Sequence, residues 1–296
     1  MSNFGSMKQK AIVLWSGGKD CNLAMQLAKE AGYELIALVT FHSKTTEFRA
    51  HPKAWMDLQS KSLGITHILL EIEEPFAENY EIGLQKLKDQ LGISAVVSGD
   101  ISEVHGNANW ITERASAVGL KAFLPLWYKD REEVMDLLLK FNFEVVLTMV
   151  KSPWLDESFL ARKIDSQLIG EFQRKGKENG LDLCGEQGEY HTMVTNGPGY
   201  RSPVLVNSFQ ISQYEESLHL SEITLSLDGN YEVPTLEKHK NCISCGIPFS
   251  CYTQGCWCAE LPMIMPMENI TDCLCPNCLK TAINKKLVEN KLKRVE

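Results

Sequence analysis

The 296-residue chain is 44% apolar and 23% charged and carries a net charge of −8. That composition excludes wholesale disorder and argues against broad electrostatic binding of nucleic acid. No run approaches 18 consecutive apolar residues, which excludes an apolar membrane-spanning helix, and the opening MSNFGSMKQK has no leader-like apolar stretch, so a soluble, cytoplasmic protein is expected.

Apolar runs at 11–15, 34–41, 67–72, 95–98, 121–126 and 143–150 read as strands. Most are continuous rather than alternating, as for strands covered on both faces. Helical patterns at 19–31, 52–63 and 75–91 are closed by Gly32, Gly64 and Gly92, and two more cover 107–118 and 130–140. The β–α alternation predicts an α/β fold with a doubly wound parallel sheet and right-handed crossovers. Further on, 152–174 reads as a helix, 180–195 as a Gly- and Glu-rich loop, 204–207 and 222–227 as short strands, and 234–241 as a linker. The expected organisation is a first domain over 9–140, a smaller α/β lobe over 141–235, a cysteine-rich module over 236–281 and a basic helical tail over 282–296.

The first strand runs into Ser16-Gly17-Gly18-Lys19-Asp20 and straight on into a helix. The glycines let backbone approach a phosphate closely, the helix N-terminus favours an anion, and Lys19 adds positive charge. Neither GxxxxGK[ST] nor GxGxxG occurs. Asp20 suits a divalent cation or, equally, a favourable interaction with the helix dipole. Lys19 and Asp20 are expected at an exposed helix start. At the carboxyl ends of later strands stand Phe41, a candidate for stacking on a base, Gly99, which leaves space, and Asp100, a carboxylate that burial would penalise without a partner. His51 and His105 read as structural hydrogen-bonders.

The SGGKD string resembles the pyrophosphate loop of ATP pyrophosphatases of the adenine-nucleotide α-hydrolase group, and within that group the chain resembles the diphthine–ammonia ligase family. Val97-Ser-Gly-Asp-Ile101, Leu124-Pro-Leu-Trp127 and Cys184-Gly-Glu-Gln-Gly-Glu-Tyr-His-Thr192 carry the resemblance further, from about residue 10 to 200. It implies cleavage of ATP to AMP and pyrophosphate, conversion of a carboxylate to an acyl-adenylate, and displacement of AMP by ammonia. It also implies that Ser16, Gly17, Gly18 and Lys19 hold ATP, that Asp20 holds Mg²⁺, and that Glu186, Glu189 and His191 serve the substrate site. Cys21 stands where many such loops have Ser.

Eight of the ten cysteines fall in Cys242-x2-Cys245-x5-Cys251-x4-Cys256-x-Cys258-x14-Cys273-x-Cys275-x2-Cys278. Two CxxC pairs bracket the set, and eight thiolates would saturate two structural Zn²⁺ sites. The Cys256-Trp257-Cys258 centre resembles a small bacterial module named for its Cys-Trp-Cys core. Two rival readings are a tRNA-thiolating enzyme and a non-enzymatic nucleotide sensor. The thiolase would need Cys21 or Cys184 as sulfur carrier, and the helix dipole is expected to lower the pKa of Cys21.

Overall fold

A computed structural model describes residues 8–103, 109–228, 237–252 and 274–292. The chain divides into two compact units, Met1–Tyr231 and Glu232–Glu296. The first holds five parallel strands in the order β3-β2-β1-β4-β5. They are β1 (Lys10–Leu14), β2 (Glu34–His42), β3 (His67–Glu71), β4 (Ala95–Val97) and β5 (Lys121–Phe123), alternating with α1 (Lys19–Glu30), α2 (Lys53–Leu63), α3 (Phe76–Leu91) and α4 (Trp110–Ala117). In β1, Ile12 packs with Tyr80, Leu84 and Leu87 of α3. Its neighbours Ala11 and Val13 pack with Ala24 of α1 and Trp55 and Met56 of α2. That two-sided burial is why the strand reads as a continuous apolar run. Strand order reverses at β1, so β1 and β4 open a crevice at their carboxyl ends.

The run at 143–150 differs from expectation. As β6 (Glu144–Lys151) it leaves the parallel sheet for a four-stranded antiparallel one, ordered β7-β6-β9-β8. Its partners are β7 (Tyr190–Asn196), β8 (Val204–Tyr214) and β9 (Ser217–Leu227). Val145 and Leu147 face α5 (Arg131–Lys140) and α6 (Ser166–Asn179), whereas Val146 joins Met193 and Val204 against the α1 and α2 residues Met25 and Trp55. Helices α1 and α2 therefore lie between the two sheets. The expected helix over 152–174 starts only at Ser166, where the Asp165 carboxylate accepts from Leu168 N–H; the stretch before it holds Pro153 and a single 3₁₀ turn at Glu157–Phe159. The expected loop over 180–195 ends in β7.

The second unit contains an antiparallel hairpin, β10 (Glu237–Asn241) and β11 (Pro248–Tyr252), and α7 (Pro276–Leu292). A tight turn joins the hairpin strands: Gly246 N–H donates to Cys242 C=O at 2.7 Å and Cys242 N–H to Ile247 C=O at 3.0 Å. Gly246 takes φ +71°, a value that suits glycine. No helix among the described residues is long and apolar enough to cross a membrane.

Candidate active site

The loop at 16–20 sits in the crevice beyond β1, stapled to β7. Gly17 has φ +78°, and a Cβ there would fall 2.5 Å from Gln59 Oε1. Its carbonyl accepts from Val194 N–H (3.0 Å), Gln59 Nε2 (2.8 Å) and Asn22 Nδ2 (3.2 Å). Gln59 Nε2 also reaches Val194 C=O at 2.8 Å. Gly18 begins α1 without a side-chain cap, and Lys19 N–H donates to Thr192 Oγ1 at 3.1 Å. An uncapped helix start behind a glycine turn is an anion cradle.

Lys19 is not exposed, as the sequence suggested; only 3% of it reaches solvent. Its Nζ donates to Asp20 Oδ2 at 2.8 Å and to Cys184 C=O at 2.5 Å, 5.6 Å from the Tyr190 ring centroid. Burial works against its charge, but Asp20 leads the groups that outweigh it and hold the ammonium above the ordinary lysine range. Asp20 keeps a second oxygen, Oδ1, buried and without a protein partner. An orphaned carboxylate oxygen beside an anion cradle fits a hard divalent cation shared with phosphate.

Glu186, exposed at the surface of its loop, feels the Asp20 charge. Desolvation first, then the Asp20 charge, lifts its carboxyl to about 7. Glu189 is different: it is fully buried, Oε1 accepts from Asp182 N–H at 2.8 Å, and Oε2 from Gln187 N–H at 2.9 Å. With one N–H of its own loop on each oxygen, the buried Glu189 holds the turn that carries Glu186. Asp182 completes the scaffold by accepting from Cys184 N–H at 2.8 Å and pairing with Arg131 Nε at 3.2 Å.

The strand-end residues are each engaged by a neighbouring helix or its cap. A Cβ on Gly99 would meet Asp20 C at 2.6 Å and Cys21 N at 2.7 Å, so the missing side chain admits the start of α1. The Phe41 ring stacks on Tyr80 at 3.9 Å and against Gly83. Asp100 has a partner, Asn109 Nδ2 at 2.8 Å. Burial raises the thiols of Cys21 and Cys184 to about 11 and about 12, for Cys21 opposite to the lowering expected from the dipole. His191 meets His51 edge-on at 5.0 Å between ring centroids, and burial leads the effects that lower both, to about 4 and about 3. His105 lies outside the described residues.

In the second unit, the Sγ atoms of Cys242, Cys245, Cys275 and Cys278 all lie within 4.8 Å of one another. Cys245 and Cys275 sulfurs are 3.7 Å apart, close to the ~3.8 Å edge of a tetrahedron with metal–sulfur bonds of about 2.3 Å. The first pair comes from the hairpin turn and the second from the start of α7. This donor set fits one tetrahedral thiophilic ion. Cys251 lies on β11, and Cys256, Cys258 and Cys273 lie outside the described residues.

Residues 9–122 match the model of the diphthamide synthase N-terminal domain, and 130–224 that of the diphthamide synthase C-terminal domain. The chain is 21% identical over 228 residues to a diphthine–ammonia ligase of Bos taurus, covering 68% of this chain and 84% of the relative. It is 20% identical over 260 residues to one of Homo sapiens, covering 75% and 96%. A structure described as a predicted subunit of tRNA methyltransferase from Methanocaldococcus jannaschii aligns with 18% identity and a TM-score of 0.39, covering 64% of this chain and 98% of that one.

Proposed function

The chain belongs to the diphthamide synthase family, matched in both its N- and C-terminal domains, and from that premise we propose that it is an ATP-dependent ligase that adenylates a carboxylate and amidates it with ammonia. The observation that carries this reading is the bond from Lys19 Nζ to Cys184 C=O. It joins an anion cradle to an acidic loop 165 residues away in sequence, so phosphates and a carboxylate-handling group meet in one place.

In this reading Ser16, Gly17, Gly18 and Lys19 receive the β- and γ-phosphates, with Asp20 Oδ1 as the ligand for Mg²⁺. The ion would neutralise charge on the phosphate oxygens. An acceptor carboxylate oxygen displaces pyrophosphate from the α-phosphorus. Ammonia then attacks the acyl carbon: the C–N bond forms, the C–O bond to AMP breaks, and nitrogen loses one proton. Glu186, ionising near neutrality, takes that proton. Lys19 cancels charge that builds on the departing pyrophosphate. Gly99 serves the site indirectly, by seating α1, and Asp100 with Asn109 closes the crevice wall. Phe41 supports the same wall from its stack on Tyr80.

Zn²⁺ is the ion we assign to Cys242, Cys245, Cys275 and Cys278, since four thiolates at tetrahedral spacing suit it. Its task is structural: a hairpin and one helix bury little of their own. The thiolase reading is disfavoured by Cys21 and Cys184, both buried and protonated at neutral pH. The test is to incubate the full chain with ATP, Mg²⁺ and ammonium, with and without carboxylate acceptors, and to separate the nucleotides. AMP and pyrophosphate are expected; ADP and phosphate would overturn the reading.

A further inference from the structure

Three histidines stand between an open cleft and the phosphate loop, and the ligase reading leaves them unexplained. Met149 on β6 registers with His191 on β7 and with His219 on β9. Residues opposite one another in an antiparallel ladder share a face. His191 and His219 line a cleft of about 360 Å³, together with Arg49, Lys151 and Tyr214. The His191 ring meets His51 at 5.0 Å, and His51 Cε1 stands 3.5 Å from where a Cβ on Gly18 would be.

Hydrogen bonding fixes which nitrogens carry protons. The Ser217 hydroxyl donates to Tyr214 C=O at 2.7 Å, and its one hydrogen is then spent. At 2.8 Å from His219 Nε2 it therefore accepts, so Nε2 bears the proton and Nδ1 is a bare acceptor. The Nδ1 atoms of His219 and His51 are both buried and have no protein partner. His219 is itself only 7% exposed.

The bare Nδ1 of His219 calls for a ligand that donates, and the unpartnered Nδ1 of His51 can take the same one. The facing charges decide which kind. Lys19 lies near His51 and His191, and Arg49 near His219, so each disfavours positive charge on the neighbouring imidazole. At the mouth Glu47 is paired with Arg49 and Glu216 with Lys151 at 3.4 Å, and Glu215 stands there as a third carboxylate. Repulsion of a cation therefore acts deeper in, beside the buried Lys19, where a neutral donor is admitted in its place. Ammonia is neutral, carries three N–H donors, and keeps its lone pair when it donates to an imidazole.

We propose that His219, His191 and His51 form a file of neutral imidazoles that admits ammonia from the cleft and seats it at His51 Nδ1 beside the phosphate loop. This rests on the amidation reading above and adds the route and seat of the nucleophile. The seat leaves the nitrogen lone pair free toward the space in front of Gly18, where an acyl-adenylate would lie.

The test is a ring-nitrogen NMR titration of the zinc-loaded full chain, ¹⁵N-labelled at histidine, with ammonium chloride at mildly alkaline pH and potassium chloride as matched salt. A saturable shift of His51 Nδ1, several-fold larger with ammonium, is expected. His191→Phe, which plugs the file, should raise the half-saturating concentration about tenfold; if it does not fold, His219→Phe at the cleft carries the same expectation. Equal responses to both salts would mean that the seat holds water only, and the proposal falls. Unchanged half-saturation in both variants overturns the route. Release of AMP and pyrophosphate is measured alongside. Release without an ammonium response rejects the ammonia seat and spares the ligase reading; a response without release does the reverse.

Discussion

Replacing Lys19 by Met removes a charge while keeping a stem of similar length and apolarity, so it isolates what the buried ammonium does. Its Nζ gives charged hydrogen bonds to Asp20 Oδ2 and Cys184 C=O, each of a kind that contributes about 1.5–3 kcal/mol. Breaking a buried pair costs about 3–5 kcal/mol because the surviving partner loses its counter-charge. The Asp20 side chain is 28% exposed, which lets solvent relieve part of that loss. We therefore expect Lys19→Met to destabilise the first unit by about 3 kcal/mol, roughly a hundredfold in its folding equilibrium. Urea denaturation of the zinc-saturated chain, followed by circular dichroism, measures this. Asp20→Asn in the same background should recover part of the loss, because the unpaired carboxylate is then gone; a coupling of at least about 1 kcal/mol is expected in the double-mutant cycle. AMP formation should also fall by about a hundredfold or more. If Lys19→Met were as stable as the parent but inactive, Lys19 would be a mobile phosphate ligand and the argument from burial would be wrong.

Gly99→Ala should displace the start of α1, since its Cβ would lie 2.6 Å from backbone that cannot swing aside; a loss of about 1–3 kcal/mol and weaker ATP binding by calorimetry are expected. Glu186 acts as a base only when ionised, so turnover at a fixed concentration of free ammonia should rise with pH through about 7 and then level off. Glu186→Gln should lower the rate and abolish that limb, and a limb that persists would assign the ionisation elsewhere. Metal analysis should find zinc in the full chain, with Cys245→Ser lowering its content by about one ion per chain; iron with visible absorption would overturn the assignment.

The parallel sheet was legible because its strands, covered on both faces, read as unbroken apolar runs with glycines at φ +67° and +62° closing α2 and α3. The antiparallel sheet was not. Most of β8 faces solvent and carries Asn, Ser and Gln between its apolar residues, so only its first four residues stood out. The strand at 144–151 looked like another parallel strand because both its faces are buried too. At the site, Ser16 to Asp20 and Glu186 were legible as candidates, whereas Gly99 answers to the start of α1, far away in sequence, and Glu189 to N–H groups of its own loop, contacts that periodicity does not encode. Gln59 was missed although it left a trace: it and Ser62 interrupt the otherwise apolar buried stripe of Trp55, Met56 and Leu63 on α2. A polar residue on such a stripe signals a buried hydrogen-bond partner elsewhere in the chain, here Gly17 and Val194 for Gln59 and Ser202 for Ser62.

The staple between the phosphate loop and β7 bears on how such chains can be recombined. Gly17 C=O, Lys19 N–H and Gln59 belong to the first matched domain, and Thr192 and Val194 to the second. A chimaera joined near residue 125, with its halves drawn from different relatives, inherits a nucleotide loop shaped by one ancestor and a strand shaped by another. Such hybrids should assemble only when the contacts at 17–19, 59 and 192–194 are exchanged as a set. Despite matching two separate domain descriptions, the halves are a single unit of inheritance.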